Sequence, residues 1–569
     1  MKKLLSVFLL MVAVAAGWIF IFGNPVSRVN PADLLPADSY LYFEQKNGSE
    51  VWRNFVESPF GTSILNLDYS RIATLLQLED QEKQAVLAQV SNIKKIKDDK
   101  LLNDIFGKQV ILALVPSKEK INTDDPIVNF KDRFVLITKP KYSANLLETI
   151  AEQFYGESTL SSTEYENYTI KQIAQEGTPL SSVVIDGYFI LSYQIDQIKN
   201  CIDVYEKKIP SLATDSEFTR HEFNAEIDDS FGFLSIDKIR QVMLDFSKIL
   251  EEPYREMVEK EISEMNGFLS ASYTGNNNKA FVDERVTIYF DKEKLKENVK
   301  IKLATAPAEN KTIQWISDDN INYYWTNTLI LQHLWDTYLN ESDILPHLIM
   351  IEEAFYSVTG DDLKDFLGEF TGELAFFLDK SEGGQLIPVP GVSVFMKVKN
   401  KDRVITNINK LVETYGIPLQ DRKYKNVAYQ SAGPFLQEDL QPLFGFVDGY
   451  FFIASAPKSV NKYIDRMNGG SNQIDIAELF PERETAFSAK NNVVTLVKVD
   501  ELIQEIKQIL IWAKNLLSLQ GKDQNEIDEV LNFLVFPLMD GAQMYKESGS
   551  RSYFTDESII FESHTNIAQ

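Results

Sequence analysis

The stretch Val184-Ile185-Asp186-Gly187-Tyr188-Phe189-Ile190-Leu191 decides the fold because it occurs twice in the chain. It returns in the second half as Phe446-Val447-Asp448-Gly449-Tyr450-Phe451-Phe452-Ile453. Each copy predicts two short strands joined by an Asp-Gly turn, since glycine readily adopts the positive φ that this turn requires. A helix-like pattern follows each copy, so a strand–turn–strand–helix module is predicted at two places. The matching residues of the two helical patterns are Ile198, Ile202 and Asp203 in the first and Val460, Ile464 and Asp465 in the second.

Further matches on both sides of the repeated stretch indicate that a whole domain is duplicated. Tyr155-Gly156 ends a helical pattern in the first half, and Tyr415-Gly416 ends one in the second. The sequence therefore predicts an α+β fold of two tandem similar domains, each an antiparallel-rich sheet with packed helices, after one N-terminal transmembrane helix. The predicted domains are residues 36–292 and 320–565, and a linker at 293–319 joins them.

The N-terminus predicts a membrane segment. Two lysines follow Met1 and precede an apolar run at 4–22, which is about the length that crosses the hydrocarbon of a bilayer. Ala13-Val14-Ala15 resembles a signal-peptidase site, but apolar residues continue beyond it, which favours an uncleaved signal anchor at 1–23 over a cleaved signal. Residues 24–35 then form a spacer. The lysines place the N-terminus in the cytoplasm, so the bulk of the chain is expected outside it, in the periplasm or at the cell surface.

Composition excludes several classes of partner and site. The chain of 569 residues has 83 acidic against 57 basic side chains, and its net charge of −26 repels nucleic acid. Its length exceeds what a single hydrophobic core supports, as expected for two domains. Cys201 is the only cysteine, so the chain has no disulfide framework and no cysteine-based metal site. With no histidine nearby in the sequence, we expect this thiol to be packed and unreactive.

No residue pattern predicts a catalytic, cofactor-binding or metal site. His333 and His347 are too far apart for the helical spacing of zinc ligands, and neither a phosphate-binding loop nor a serine elbow occurs. Asp186 and Asp448 precede glycine in the predicted turns, and turn geometry explains both. Carboxylates are so abundant that an acid pair of the glycosidase kind stays open, but their abundance also prevents the choice of any pair.

The strongest candidate for a contact surface is apolar. Residues 502–536 predict a helical hairpin whose first helix is apolar over so wide an arc that its own sheet covers only part of it. Such a stripe is typical first of burial in the core. The other interpretation is that part of it buries against a partner, an apolar ligand or a membrane surface. The residues singled out as possible contacts are Ile509, Ile511, Trp512, Leu516 and Phe533.

The phrase Leu34-Leu35-Pro36-Ala37-Asp38-Ser39, followed by a strand, carries a resemblance to a known family. It resembles the opening of exported, membrane-anchored bacterial proteins that often begin with a Leu-Pro-Ala-Asp-Thr-like phrase and are classed as a domain of unknown function. Ser39 stands here where that phrase has threonine. The resemblance implies an envelope location and offers no activity or site residues to transfer.

Together these features predict an envelope-anchored, extracytoplasmic binding or interaction protein. Its predicted partners are the membrane, through the N-terminal helix, and an apolar ligand or another envelope protein; no cofactor and no nucleic acid is expected. The alternative is a carboxylate-dependent hydrolase that acts on an extracytoplasmic polymer. A deep apolar cavity would favour binding, and a cleft with two facing carboxylates would favour hydrolysis.

Overall fold

The chain divides into two compact units in a computed structural model. The first unit comprises Met1–Lys294 together with Glu529–Gly541, and the second comprises Leu295–Asp528 together with Ala542–Gln569. The structure describes residues 29–98, 107–118, 131–140, 160–175, 178–221, 223, 228–316, 321–328, 330–338, 345–381, 390–433, 441–468, 489–519 and 525–568.

The first unit consists of a sheet with helices between its strands. Its strands are β1 (Leu41–Lys46), β2 (Gln109–Leu114), β3 (Phe134–Lys139), β4 (Leu160–Tyr165), β5 (Tyr168–Gln175), β6 (Thr178–Ile185), β7 (Tyr188–Ser192), β8 (Ser230–Ser235), β9 (Phe268–Asn277) and β10 (Phe281–Phe290). Its helices are α1 (Gly48–Glu57), α2 (Pro59–Asn66), α3 (Tyr69–Leu75), α4 (Asp80–Asp98), α5 (Ile195–Tyr205), α6 (Ser216–Thr219), α7 (Ile236–Ser247) and α8 (Tyr254–Glu264). Short 3-10 turns lie at Pro31–Leu34 and Leu212–Thr214.

The second unit is built in the same way. Its strands are β11 (Ile321–Asn327), β12 (Phe370–Asp379), β13 (Val392–Val398), β14 (Leu419–Tyr424), β15 (Val427–Ala432), β16 (Leu443–Val447), β17 (Tyr450–Ala454), β18 (Val493–Lys498), β19 (Tyr545–Phe554) and β20 (Ser558–Ile567). Its helices are α9 (Glu297–Leu303), α10 (Leu331–Tyr338), α11 (Leu345–Thr359), α12 (Leu363–Leu367), α13 (Lys401–Thr414), α14 (Pro457–Met467) and α15 (Val499–Leu519). A 3-10 turn lies at Lys311–Trp315.

A late segment of the chain completes the helical part of the first unit. After α16 (Asn525–Val530) come a π-helical turn (Leu531–Val535) and α17 (Phe536–Ala542). Gly541 lies so close to α2 that a Cβ on it would come within 2.5 Å of Ser63 Oγ. Glycine, which has no Cβ, permits that approach.

The strands of the two units follow the same order. Hydrogen-bonded neighbours in the first unit run β4-β5-β6-β7-β3-β2-β1-β8-β9-β10. Those in the second run β14-β15-β16-β17-β13-β12-β11-β18-β19-β20. All of these pairings are antiparallel. The second order therefore repeats the first with each strand replaced by its counterpart.

The predicted Asp-Gly turns are confirmed in both units. Ile185 pairs with Tyr188 and Val447 with Tyr450, so the two residues between them form the whole loop. The φ angle is +46° at both aspartates and +80° and +79° at the two glycines. Positive φ at both loop positions is the type I′ geometry, whose twist matches that of paired strands, and this accounts for Asp-Gly at both places.

A tyrosine–aspartate hydrogen bond fixes the helix that follows each hairpin. Tyr165 Oη donates to Asp203 at 2.9 Å in the first unit, and Tyr424 Oη donates to Asp465 at 2.9 Å in the second. Each tyrosine ends a strand before a hairpin turn, and each aspartate lies on α5 or α14. Asp203 and Asp465 occupy matching positions in the sequence because each holds its helix against the equivalent hairpin of its own unit.

One face of each sheet packs against α5 or α14 to form the core of its unit. In the first unit the buried residues are largely aliphatic, with Ile198, Cys201 and Ile202 on the helix. The second unit buries more aromatic rings, and Tyr463 of α14 packs against Phe377 with ring centroids 4.4 Å apart. Apolar residues at three- and four-residue spacing on each helix supply this buried face.

The fold class predicted from the sequence needs correction. The described residues form twenty strands in antiparallel pairing, and no helix among them is long and apolar enough to cross a membrane. Even α15, with 21 residues, carries charged side chains, among them Glu505 and Lys514, that are costly in hydrocarbon. The prediction of two α+β domains behind a transmembrane signal anchor is therefore wrong as stated. The apolar run at 4–22, on which that anchor was placed, lies outside the described residues.

Candidate binding surface and polar sites

Helix α15 leaves many of its apolar side chains only partly covered. From Val499 to Leu517 no residue is fully buried. Ile506, Ile511 and Leu516 are 41%, 45% and 42% exposed. An apolar helix normally buries one continuous stripe. The helix therefore leaves apolar surface in contact with solvent.

Polar contacts hold α15 at its first turns and again at Lys514, between its apolar residues. Glu505 accepts hydrogen bonds from the backbone N–H and the hydroxyl of Ser381, at 2.5 and 3.0 Å. Lys546 Nζ lies 2.8 Å from Asp500, and Lys514 Nζ lies 2.7 Å from Asp528. The carboxylates at the first turns thus hold the helix in place while its central apolar residues stay accessible.

The structure divides the five predicted contact residues between the two units. Ile509, Ile511, Trp512 and Leu516 lie on α15 in the second unit, where Ile509 and Trp512 are half-buried. Phe533 lies in the π-helical turn of the first unit. There the guanidinium of Arg71 sits 4.1 Å from the centre of the Phe533 ring, and Arg71 also pairs with Glu529. We define the α15 surface as Ile506, Ile509, Ile511, Trp512 and Leu516.

A second apolar surface lies on α11, outside the contact residues predicted from the sequence. Ile349, Met350, Ile351 and Tyr356 are 43%, 61%, 49% and 62% exposed, and we call them the α11 surface. Phe355 of the same helix is buried against the adjoining helices. The signal was present in the sequence, because a run of consecutive apolar residues on a helix points in every direction around its axis.

A network of charges fixes the end of α11. Arg403 donates two hydrogen bonds to Asp361, at 2.8 and 2.6 Å, and a third to Glu369 at 2.9 Å. Asn407 donates to the same aspartate at 2.6 Å. The hydrogen bonds from Arg403 lower the pKa of Asp361 to about 2. A bidentate arginine–carboxylate pair fixes geometry as well as charge, so α11 is held rigidly at this end.

A buried carboxylate lies at the centre of each unit. In the second unit Glu373 accepts hydrogen bonds from the backbone N–H groups of Lys311 and Thr312, at 3.1 and 2.9 Å, and from Tyr450 Oη at 2.8 Å. In the first unit Glu44 accepts from Gln109 at 2.6 Å and from Tyr42. Both carboxylates are shielded from solvent and satisfied by their own unit, so their arrangement suits a structural role.

The second unit also buries Asp379. Asp379 accepts a hydrogen bond from Tyr463 Oη at 2.5 Å and forms an ion pair with Lys462. Burial raises the pKa of Asp379, and the charge of Lys462 opposes that shift. Its Oδ2 atom has no hydrogen-bond partner among the described residues. In the first unit Cys201 takes the place of Tyr463, and burial raises the pKa of its thiol to about 12.

The first unit contains a polar cavity of about 280 Å³. It lies where β2 ends and α5 begins. Gln197, which is 3% exposed, forms part of its wall and donates hydrogen bonds to the carbonyls of Pro116 and Asp132, at 2.8 and 3.1 Å. The other polar side chains that line it are Asp38, Ser117, Lys118, Gln194, Asp196 and Asn200.

Histidines form no metal site in the described part of the chain, where no group of three or more potential ligands occurs. His221 is buried, and its Nε2 lies 2.9 Å from Ser270 Oγ, which in turn donates to Glu217 at 3.0 Å. Burial, followed by the charge of Arg220, lowers the pKa of His221 to about 4. Ser270 is fully buried, so no substrate reaches its hydroxyl and the trio does not work as a nucleophilic site.

Comparison with known proteins gives little to add to this geometry. No protein-family model and no curated protein matches the chain. Among solved structures, crystal form IV of TP0453 is 10% identical and matches over 46% of this chain and 81% of that chain, with a TM-score of 0.21. Crystal form III of the same protein is 11% identical over 50% and 89%, also with a TM-score of 0.21. Similarity at this level carries no argument about fold or function.

Proposed function

We propose that the protein is a binding protein that takes an apolar ligand on the α15 surface. The observation that supports this is the absence of any fully buried residue between Val499 and Leu517, although the stretch is rich in isoleucine and leucine. Burial of one such side chain is worth ~1.5–3 kcal/mol, so several half-exposed ones provide a substantial drive for association.

The way α15 is held also supports binding. Glu505 and Asp500 tie its first turns to neighbouring residues of the second unit, so the apolar residues that follow do not need to collapse inward to keep the helix in place. A surface that is rigid before its ligand arrives loses little conformational entropy on binding. The α11 surface, held by Arg403, shares both properties and is the second site at which such a ligand would be sought.

Binding is favoured over hydrolysis because the buried carboxylates of the described residues already have partners within their units. Glu44 and Glu373 accept hydrogen bonds from tyrosine and neighbouring groups, and Asp379 pairs with Lys462. A glycosidase-type acid pair needs two carboxyl groups that face a substrate across a cleft. The hydrolase alternative therefore stays a prediction of the sequence alone.

Nile red, an apolar dye that fluoresces on leaving water, tests this proposal. The full chain is expected to give a saturable fluorescence increase, and the double variant Ile511→Gln, Leu516→Gln is expected to lose most of it. Both side chains are more than 40% exposed, so the variant should keep its melting temperature within a few degrees. A large drop in melting temperature would instead return these residues to the core.

Two matched controls make the result specific. Ile249→Gln with Met257→Gln changes exposed apolar residues of the first unit, which are 42% and 58% exposed, and should leave dye binding unchanged. Ile349→Gln with Met350→Gln removes the centre of the α11 surface. If that pair abolishes the signal while the α15 variant retains it, the α15 assignment is overturned.

Location outside the cytoplasm belongs to the proposal as well. It rests on the lysines and the apolar run at the start of the sequence and on the resemblance of residues 34–39 to the openings of exported proteins. A reporter enzyme that is active only after export, fused to the C-terminus of the full chain, is expected to be active. An inactive fusion that accumulates inside the cell would contradict export.

A further inference from the structure

We propose that the polar cavity of the first unit is a binding site for a small zwitterion that carries both an ammonium and a carboxylate group, such as a free amino acid. This site is separate from the α15 surface and does not depend on it. The cavity volume of about 280 Å³ is at the small end of ligand sites, so the ligand has few heavy atoms.

The wall of the cavity is built before any ligand binds. Gln197 is almost completely buried, and both of its hydrogen bonds to carbonyl groups hold its amide in one orientation. Asn200 donates to Gln197 Oε1 at 3.2 Å, and Gln194 donates to Asp132 at 2.6 Å. These linked amides fix the side of the cavity formed by α5, and a fixed polar wall is what gives a small site its selectivity.

Charges of both signs line the same cavity. Asp38 and Lys118 face it, and neither forms an ion pair with another residue in the described ranges. Asp38 suits an ammonium group and Lys118 suits a carboxylate. Asp196 adds a second acidic group, although Lys199 lies 3.5 Å from it. A ligand with one charge of each sign satisfies both exposed groups, whereas an anion alone or a cation alone satisfies one of them.

The residues that follow β2 can be compared with those that follow β12 in the second unit. The strand registers align Pro116 with Lys380 and Ser117 with Ser381. In the second unit Lys380 pairs with Glu501, and Ser381 binds Glu505 through its N–H and hydroxyl groups. The polar groups at that strand end are therefore satisfied by side chains of α15. The corresponding residues of the first unit, Pro116 and Ser117, line the cavity beside Lys118.

Ligand-detected NMR on the full chain tests the proposal with the common L-amino acids in mixture as probes. We expect a saturable signal from at least one of them. Asp38→Asn and Lys118→Gln should each weaken that binding by about tenfold or more, since each removes one charged hydrogen-bonding partner. Lys458→Gln, a change at the matching helix of the second unit, is the control and should leave affinity unchanged.

Single-charge probes decide the ligand class. Propionate carries only the carboxylate and propylamine only the ammonium, so both should bind at least about tenfold more weakly than the amino acid. The proposal is overturned if no amino acid gives a saturable signal, if both variants bind normally, or if either single-charge probe binds as tightly as the zwitterion. Hydrogen exchange of the first unit confirms that each variant is folded.

Discussion

The two units use the same strand order but place their buried central carboxylate on different strands. Tyr42 pairs with Ala113 and Tyr324 with Phe377, so Gln109 of β2 is the counterpart of Glu373 on β12. The first unit therefore has an amide where the second has a carboxylate, and supplies its own carboxylate, Glu44, from β1. Both units therefore bury a carboxylate in the same region of the sheet, but they supply it from different strands. The core requires one buried acceptor that nearby donors satisfy, and either strand can provide it.

The same strand end also differs between the units. In the second unit, the Asp379–Lys462 ion pair and the carboxylates of α15 occupy this strand end. In the first unit, the strand end borders the cavity. A duplicated fold can thus keep its framework and change only the side chains at one edge. The open edge is the place where a ligand site arises at little structural cost, since the surrounding strands and helix are already held by the core.

The largest expected difference between the units concerns the central carboxylates. Glu373→Ala leaves the N–H groups of Lys311 and Thr312 and Tyr450 Oη without their acceptor and should reduce the free energy of unfolding of the second unit by about 3–5 kcal/mol. Glu44→Ala removes an acceptor for side chains only and should cost the first unit about 2 kcal/mol. Hydrogen exchange of β11–β12 and β1–β2 peptides measures both losses, and an equal or reversed ranking would break the comparison.

Tyr463→Phe tests whether the strand end of the second unit depends on its own hydrogen bonds. Asp379 would keep only Lys462 as a partner, and the loss is expected to be about 1–3 kcal/mol in the second unit. Cys201→Ala is the matched change in the first unit, where no hydrogen bond is lost and a small cavity is made. If Tyr463→Phe has no effect on urea unfolding, the buried bond to Asp379 contributes nothing.

His221 gives the first unit a pH dependence of predictable sign. Its pKa in the folded protein is about 4, below the ordinary value of 6.5, so the unfolded chain takes up the proton first as pH falls. The stability that the neutral imidazole contributes is complete above about pH 6.5 and is lost as pH falls towards 4, by about 1–2 kcal/mol. His221→Gln should flatten this part of the pH profile. An unchanged profile would show that His221 titrates normally.

The smallest effect is expected at Cys201, which should resist chemical modification without any change in stability. Its thiol is fully buried and its pKa is raised to about 12, so little thiolate forms. Ellman's reagent should report no reactive thiol in the native protein and one after unfolding in urea. Rapid reaction of the native protein would show that the helix α5 opens readily from its sheet.

Local signals in the sequence were enough to predict the hairpins and the helices that follow them. Asp186-Gly187 and Asp448-Gly449 fix their turns through backbone geometry alone, and the spacing of Ile198 and Ile202 predicts the buried face of α5. The extent of cover over α15 was beyond the sequence, because cover depends on which distant elements pack there. The run at Ile349-Met350-Ile351 carried the same signal as α15 and was not singled out.

Long-range packing accounts for the remaining differences. Closeness in the sequence predicts that Phe533 shares a surface with Ile511 and Trp512, yet Arg71 and Glu529 hold its turn in the first unit. The cavity also escaped prediction, since Asp38, Lys118 and Asn200 come from three separated parts of the chain. Only the strand order brings them to one place, and that order is a property of the whole fold.

The placement of Glu529–Gly541 in the first unit has a consequence for the living cell. A ribosome releases the chain from its N-terminus, and domains generally fold as they emerge. All strands of the first unit are made by Phe290, but Gly541 reaches its place beside Ser63 only after β11 to β18 have also been synthesised. The first unit is therefore incomplete until most of the second has been synthesised. In a nascent chain stalled between the two, the helices of the first unit still lack the segment Glu529–Gly541.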